Sequence, residues 1–463
     1  MRPQRIDQMV PSFGRRDAIG EHILHLRDLL VHLGFRSDIW CRGAFPEVRD
    51  QCRLVGDLPE GHRHGTWWIY HLATGSPVAD LLAGRCEPII VDYHNITPAS
   101  LLTPWVPWAA ETAEEGLRQL QRLAERSCFA VADSAYNERD LLGAGYRRTA
   151  VAPPLFDLGA DAPDPATLAR RRAERAGGGA DWLFVGRLAP NKAQHDLIKA
   201  LACARRFFDP RTRLHLVGTG MGEQYPRALR RFARRLGVDD AVDLPGAVDG
   251  AVLAAYYAAA DVFVSASTHE GFGIPLVEAA HSGVPVVAYD AAAVAETVGS
   301  GGVLLADKSP MALAVAAHRV TTDPDLRRYL ASAGRRRAAD FTLARGRLAW
   351  QAALDQALAT GAEPGGVATA VGARGAGPGD GASLPGARGA GPGDGASVPG
   401  ARGARPGGLG AGPGGGGSRH GPGDQGPEPG GRTSVGGGAE LAWAERGHQP
   451  APAGRSRLPW AAM

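Results

Sequence analysis

Lysine and asparagine are nearly missing from this chain of 463 residues. Three Lys (Lys192, Lys199, Lys308) stand against 48 Arg, and Asn95, Asn137 and Asn191 are the only asparagines. Such a bias reflects coding preference, so the positions where the scarce types survive are informative. All three Asn and one Lys fall inside the motifs below. Cysteine is sparse too: Cys41, Cys52, Cys86, Cys128 and Cys203 form no CxxC pair and are odd in number. They read as small buried hydrophobes of a reducing compartment, which excludes a disulfide framework or a zinc ribbon. No apolar run reaches the roughly 18 residues needed to span a bilayer. The N-terminus lacks the apolar core of a signal peptide, so a cytoplasmic location is expected, extending to the inner face of the cell membrane. Charge of one sign is also lacking. With 51 basic against 48 acidic residues the net is +3, and neither nucleic acid nor an anionic membrane is demanded as partner.

Glycine is abundant but uneven. Residues 361–440 hold 31 of the 64 glycines, and residues 1–360 hold another 31. A segment so composed buries too little apolar surface to offset the entropy of ordering it, and its lack of a three-residue period excludes collagen. A 14-residue unit, GARGAGPGDGASLP from Gly372, returns as GARGAGPGDGASVP from Gly386 and starts again at Gly400. With no apolar residues to stack, it is not a solenoid. Residues 361–463, with their closing AELAWAERG and RLPWAAM, are therefore expected to be a disordered Gly/Pro-rich tail. About 360 residues remain, enough for two domains with sizeable cores.

Those residues alternate short apolar runs with amphipathic ones. Ile6–Val10, Trp67–His71, Ile89–Tyr93, Phe129–Asp133 and Ala150–Pro153 read as buried strands. After a turn at Phe13-Gly14-Arg15-Arg16, Asp17 caps a predicted helix carrying Ile19, Ile23, Leu26, Leu30 and Leu33. The segment 158–180, with its Arg run and three glycines, reads as a linker with one short helix. The alternation restarts with Leu183–Val185, Leu214–Val217, Val242–Leu244, Val262–Val264, Val284–Ala288 and Val303–Leu305. One helix across roughly Asp323–Thr360 closes the folded part. The expected class is α/β: two doubly wound domains, 1–157 and 181–340, facing a cleft, with 341–360 as the closing helix.

Two motifs carry chemistry. Thr268-His-Glu-Gly-Phe-Gly-Ile-Pro-Leu-Val-Glu278 follows a strand and enters a helix at Pro275. Gly271 and Gly273 let the backbone approach a ligand, and the helix N-terminus offers N–H groups to an anion. Glu270 and Glu278 bracket the loop, carboxylates able to accept from the hydroxyls of a polyol. In Leu183-Phe-Val-Gly-Arg-Leu-Ala-Pro-Asn-Lys192 a strand ends in Gly186, and Arg187 and Lys192 emerge where they could clamp two phosphates. A generic βα turn and two solvated cations are the bland alternatives; their occurrence in one half of the chain favours a site.

Gly186-Arg187 with Lys192, followed by the Glu-x7-Glu loop from Glu270 to Glu278, closely resembles the retaining glycosyltransferases of family 4. The resemblance spans about residues 4–358. It implies two Rossmann-like domains of the GT-B type. It also implies transfer of a hexose from a nucleoside-diphosphate sugar, GDP-mannose or a UDP-hexose, to a hydroxyl of a glycan, lipid or small molecule. By position, Arg187 and Lys192 would bind the donor diphosphate and Glu278 the nucleotide ribose. Glu270 with the Gly271-Phe272-Gly273-Ile274 backbone would hold the donor sugar. Gly218-Thr-Gly220-Met-Gly222 would border the nucleotide, Gly14 would lie near the phosphates, and His94, in the strand-end segment Tyr93-His-Asn-Ile-Thr-Pro98, would contact the sugar at the reacting centre. Tyr70–Ser76 and Asp133–Asn137 are two further strand-end segments expected at the cleft. No cofactor is implied, the nucleotide sugar being a substrate. In the family's first loop two glycines are often adjacent; here Gly14 stands alone.

Other readings fare worse. The Gly218-x-Gly-x-Gly222 spacing misplaces the third glycine of a dinucleotide fingerprint. Asp323-Pro-Asp325, the one Asp-x-Asp triplet, precedes a helical run and reads as a cap rather than a metal ligand, so a metal-independent site is expected. A catalytically inactive GT-B-fold binding or regulatory protein would show erosion of the charged set, and Arg187, Lys192, Glu270 and Glu278 are all present. Arg227, Arg230, Arg231, Arg234 and Arg235 on one helix read as a solvated face, with weak peripheral membrane association as the alternative.

Overall fold

The computed structural model describes residues 3–14 and 18–361. The Asp17 cap, Arg15, Arg16 and the tail with its repeats lie outside the described residues. Among those described, seven strands form one parallel sheet. They are β1 (Arg5–Phe13), β2 (Ile39–Ala44), β3 (Arg53–Leu54), β4 (Thr66–Leu72), β5 (Ile89–Tyr93), β6 (Ser127–Ala132) and β7 (Thr149–Val151), ordered β3-β2-β1-β4-β5-β6-β7. Six more form a second parallel sheet: β8 (Asp181–Val185), β9 (Arg213–Val217), β10 (Val242–Gly246), β11 (Val262–Ser265), β12 (Val286–Tyr289) and β13 (Gly302–Leu305), ordered β10-β9-β8-β11-β12-β13. Each sheet reverses its order beside its first strand, which opens a crevice at the carboxyl ends of β1 and β4, and again of β8 and β11.

Helices cover both faces of each sheet, which is why consecutive strand residues are apolar rather than alternating. Along β4, Trp68, Ile69 and Tyr70 are all fully buried. Trp68 and Tyr70 pack with Val91, Tyr93, Leu120 and Leu123 on one face; Ile69 packs with Ile6, Leu26, Leu30 and Ile90 on the other. The second lobe repeats the plan, with Leu197, Leu201, Leu229 and Val264 on one face and Leu183, Phe263, Leu276 and Val286 on the other. Within 158–180 the helix Pro165–Ala176 joins the second lobe. Its Arg171 is buried and donates to Asp243 (2.5 Å) and to the Tyr256 hydroxyl (2.6 Å).

One expectation is corrected, and two strands are added. The edge strands β2 and β3 were not read from the sequence. The single closing helix is in fact two, Pro324–Ala338 and Leu343–Thr360, separated by a 3-10 turn at Ala339–Phe341. One straight helix cannot lie on both lobes. The first piece, capped by the Asp323 carboxylate, packs on Ile274–His281 of the second lobe. The second crosses back and buries Trp350, Ala353, Leu354 and Ala357 against Phe129, Ala152 and Leu155 of the first. Phe341 sits at the corner with Phe156 and Phe272.

Candidate active site

The loops at the carboxyl ends of β8 and β11 are tied together by Asn191. Its carbonyl accepts from the Thr268 N–H (2.8 Å) and hydroxyl (3.0 Å), while its amide donates to the His269 carbonyl (3.4 Å). That seam brings Lys192 Nζ to Glu270 Oε2 at 2.5 Å. Arg187, on the loop after β8, is exposed, and its guanidinium forms no ion pair among the described residues. Gly186 and Gly218 both have positive φ (+150° and +141°), and a Cβ on Gly218 would lie 2.1 Å from the Gly186 carbonyl oxygen. Only glycine permits that approach. The loop continues through Gly220, which bridges Leu188, to Met221, which packs against the first lobe.

Gly273, with φ +91°, turns the chain into the helix Ile274–His281. Phe272 points away from the crevice into the cluster of Phe156 and Phe341, so only its backbone belongs to the loop. Glu278 accepts from the Tyr257 hydroxyl (2.7 Å), and burial pushes its carboxyl above the usual range.

The first lobe closes directly on this loop. Ser134 Oγ donates to the Gly271 carbonyl (2.7 Å), and a Cβ on Gly271 would stand 2.6 Å from Asn95 Cβ. The Asn95 side chain is shared between His269 and Asn137, donating to Asn137 Oδ1 (2.7 Å). Glu296 accepts from the N–H groups of Ala135 (2.8 Å) and Tyr136 (3.2 Å), and the Trp105 ring meets Tyr225 edge-on. The three scarce asparagines thus converge on one loop. Lys199 and Lys308 do not: each pairs with Asp196 at 2.9 Å. Gly14 ends β1 against Phe45, next to the residues outside the description.

His94 is placed differently from the role the resemblance implied. Its ring turns inward, with 3 % of the side chain exposed. Nδ1 lies 3.1 and 3.2 Å from the two Asp133 oxygens, and Nε2 lies 3.0 Å from Asp92 Oδ2 and 3.1 Å from His71 Nδ1. Its backbone carbonyl faces Gly271 instead. Burial opposes charge on the ring, but the Asp92 and Asp133 carboxylates outweigh it and hold His94 well above the usual histidine range. Burial drives His71 down to about 4.

His22, His71, Asp92 and His94 present ligand-type atoms within 4.8 Å of one another, the composition of a cation site. Their geometry suits protons instead. The His71 and His94 planes lie within 8° and their centroids are 5.4 Å apart. With the nitrogens at 3.1 Å, that separation requires both to lie on the line between the rings. Their lone-pair axes therefore meet head-on rather than converging on an ion. His22 Nδ1 accepts from the Leu155 N–H (2.8 Å), which leaves the proton on Nε2, facing Asp92 Oδ2 at 2.9 Å.

Comparison with known proteins agrees with this architecture. The sequence pattern of the family described as glycosyl transferases group 1 matches residues 167–337. D-inositol 3-phosphate glycosyltransferase of Nocardiopsis dassonvillei is 32% identical over 308 residues, 64% of this chain and 68% of that protein. The chain belongs to the glycosyl transferases group 1 family. Proteins of the same name from Kineococcus radiotolerans (33% identical, 60% of this chain and 67% of that one) and Geodermatophilus obscurus (37%, 53% and 54%) are also similar. The match thus spans about half the length of the Geodermatophilus relative. Among solved structures, Anabaena HepE in complex with UDP and glucose superposes with a TM-score of 0.62 at 21% identity, covering 76% of this chain and 99% of that one. Sucrose-phosphate synthase from Thermosynechococcus elongatus gives 0.60 at 21%, covering 77% and 99%. Like these members of the GT-B fold, the family chain described here sets two Rossmann-like lobes face to face. No helix among the described residues is long and apolar enough to cross a membrane.

Proposed function

We propose that the chain is a retaining hexosyltransferase that uses a nucleoside-diphosphate sugar and needs no metal ion. The observation that supports this reading is the pairing of Lys192 with Glu270 at the crevice of the second sheet, with Arg187 exposed on the loop that follows the same strand and the first lobe closed over the Glu270 loop. The departing nucleoside diphosphate gathers negative charge as the glycosidic bond breaks. Two fixed cations and the N-terminal N–H groups of Ile274–His281 supply a pre-organised counter-field without a divalent ion. The Lys192–Glu270 pair keeps both charges satisfied without ligand. An arriving diphosphate takes Lys192, and the released Glu270 carboxylate accepts from sugar hydroxyls. Glu278 holds the ribose. Retention is taken from the family resemblance, and it needs no nucleophilic side chain beneath the sugar. Retention then follows a front-face course in which the leaving phosphate oxygen helps deprotonate the acceptor. The relatives' name puts a phosphorylated cyclitol first among acceptors, and the HepE complex puts UDP first among nucleotides.

Thermal unfolding of the full chain with millimolar UDP, GDP and ADP, with and without EDTA, tests the reading. A nucleotide at 100 times its Kd adds about 2.7 kcal/mol to stability, a readily measured rise in midpoint. The expected result is a rise with one nucleotide that survives EDTA and disappears in Lys192→Ala. The matching UDP- or GDP-hexose should then glycosylate an inositol phosphate, the α-linkage being read from the anomeric proton coupling. Lys192→Ala should lose on the order of 10²-fold in kcat/KM. No nucleotide-induced shift, or near-normal turnover of the variant, would overturn the assignment.

A further inference from the structure

The inward-turned His94 raises a question that the transferase reading leaves open: what a carboxylate-rich histidine cluster does behind the crevice. Hydrogen-bond partners fix the protons one by one. Gln8 Nε2 donates to the Ile23 carbonyl (3.1 Å), so its Oε1 faces His71 Nε2 (2.9 Å) as an acceptor and that nitrogen carries the His71 proton. His71 Nδ1 also lies 2.9 Å from Asp92 Oδ2, so one proton must serve His71 Nδ1, Asp92 Oδ2 and His94 Nε2. Since His71 already carries its proton on Nε2 and burial keeps that ring neutral, Nδ1 is the bare nitrogen, aimed head-on at His94 Nε2. Asp92 Oδ2, the other neighbour of His94 Nε2, is also an acceptor. Two acceptors around one nitrogen require a proton there. At the far side of the ring, Asp133 offers both carboxylate oxygens to Nδ1, which donates. His94 is an imidazolium clamped in a continuous row: Asp133, His94, His71, Gln8 and the Ile23 carbonyl. Asp92 lies alongside, taking the second proton-bearing contact from His22 Nε2.

This row ends at the lobe contact. Asp133 precedes Ser134, whose hydroxyl grips the Gly271 carbonyl. His94 precedes Asn95, which has the left-handed φ of +73° and reaches His269 and Asn137. Asparagine tolerates that region better than other L residues, and here its neighbours on both sides hold it there. The His94 ring is held on one side and the Asn95 side chain on the other. We propose that Asp133 and His71 are positioning residues: by clamping His94 as an imidazolium they fix the His94–Asn95 turn and Ser134 against residues 269–271, so that closure of the first lobe on the donor loop depends on the His94 proton. The groups facing His94 are Asp92 from β5, Asp133 after β6, His71 from β4 and, across Asp92, His22 from the helix Ala18–His32. Beyond them Trp350 closes the cluster over His22. The proposal rests on the transferase reading only in calling 269–271 the donor loop.

Two measurements test it on the full chain, neither needing turnover. In the 15N-histidine spectrum of the 14 His residues, His94 is expected to keep both ring protons well above the usual histidine range, as is His215 between Asp181 and Asp243. His71 should stay neutral, protonated at Nε2, down to about pH 5, and Asp133→Asn should abolish the His94 signature and assign it. Amide hydrogen exchange of peptides covering 266–274 should then be at least several-fold faster in Asp133→Asn than in wild type at pH 7. In wild type the same acceleration should appear as the His94 imidazolium signal is lost at high pH, while strands β4 and β5 remain protected. Where activity is measurable, Asp133→Asn should raise the donor KM more than it lowers kcat, and Asp133→Glu should restore part of the loss. A neutral His94 at pH 7 in wild type would overturn the proposal, as would an imidazolium whose loss leaves exchange at 266–274 unchanged. Failure of the transferase reading would appear separately, as no nucleotide binding in a protein whose His94 signal and loop exchange still move together.

Discussion

At the scale of single residues, the chain places rare side chains where few substitutes would serve. Asn191 supplies both a carbonyl and an amide to one neighbouring loop, and Asn95 accepts from one lobe while donating within the other. His71 carries the clearest consequence for pH. Its folded-state value of about 4 lies below the ordinary 6.5, because burial penalises the charged ring. A depressed histidine leaves stability intact above about pH 6.5, and stability is lost as pH falls toward 4, because the unfolded chain binds the proton first. The loss attributable to this residue is of order 3 kcal/mol across that window. Urea unfolding at pH 7, 6, 5 and 4 should show wild type losing more stability with acid than His71→Gln. Equal pH slopes in the two proteins would contradict it. The raised value of His94 acts in the opposite sense, with stability present below the ordinary range and lost as pH rises through its folded value.

At the scale of elements, strands with several buried residues in a row were legible, because a strand covered on both faces needs nothing but apolar side chains. All five of the first-lobe strands that were read correspond to observed ones, as do all six in the second. Strands β2 and β3 were not legible. Trp40 and Cys41 run straight into Arg42 and Gly43, and β3 is two residues long at the sheet edge, where little must be buried. The run 323–360 has uninterrupted helical character, and nothing local marks the corner at Ala339–Phe341. The break comes from the need to cover two different lobes. Leu343–Thr360 is consequently a structural part of the first lobe. Trp350 is fully buried and its Nε1–H donates to the Pro153 carbonyl (3.1 Å). Trp350→Ala should cost about 3–5 kcal/mol by urea unfolding. A cost below 1 kcal/mol would mean the helix is not docked.

At the scale of the whole molecule, the pairing of Lys192 with Glu270 joins two motifs that the sequence shows separately, because each motif is local. The clasp between the lobes could not be read that way. Ser134 and Gly271, or Ala135 and Glu296, are more than 130 residues apart in sequence, and neither pair has a spacing or composition that announces it. The histidine cluster was half visible: His71 and His94 end strands, whereas His22 sits inside an ordinary amphipathic helix. Gly271 lies in the contact between the lobes. Gly271→Ala would drive a methyl from the second lobe into Asn95 and Asn137 of the first, at the contact between the lobes and outside both apolar cores. The thermal midpoint should stay within a few degrees while kcat/KM falls by about tenfold or more, since misplacement of a closing loop by about 1 Å costs up to about 10²-fold. Unchanged activity would show that the lobes need not approach this closely.

The return of Leu343–Thr360 to the first lobe has a temporal meaning. A ribosome makes β1 to β7 first, yet the lobe they build is not complete until the residues after the second lobe emerge. Its contacts join the two ends of the folded chain, the slowest kind to form. The second lobe, contiguous in sequence, can finish earlier. Until Trp350 arrives to cover His22, the ring cluster behind the crevice stays open to water, so a helix made after the whole second lobe is the one that seals it.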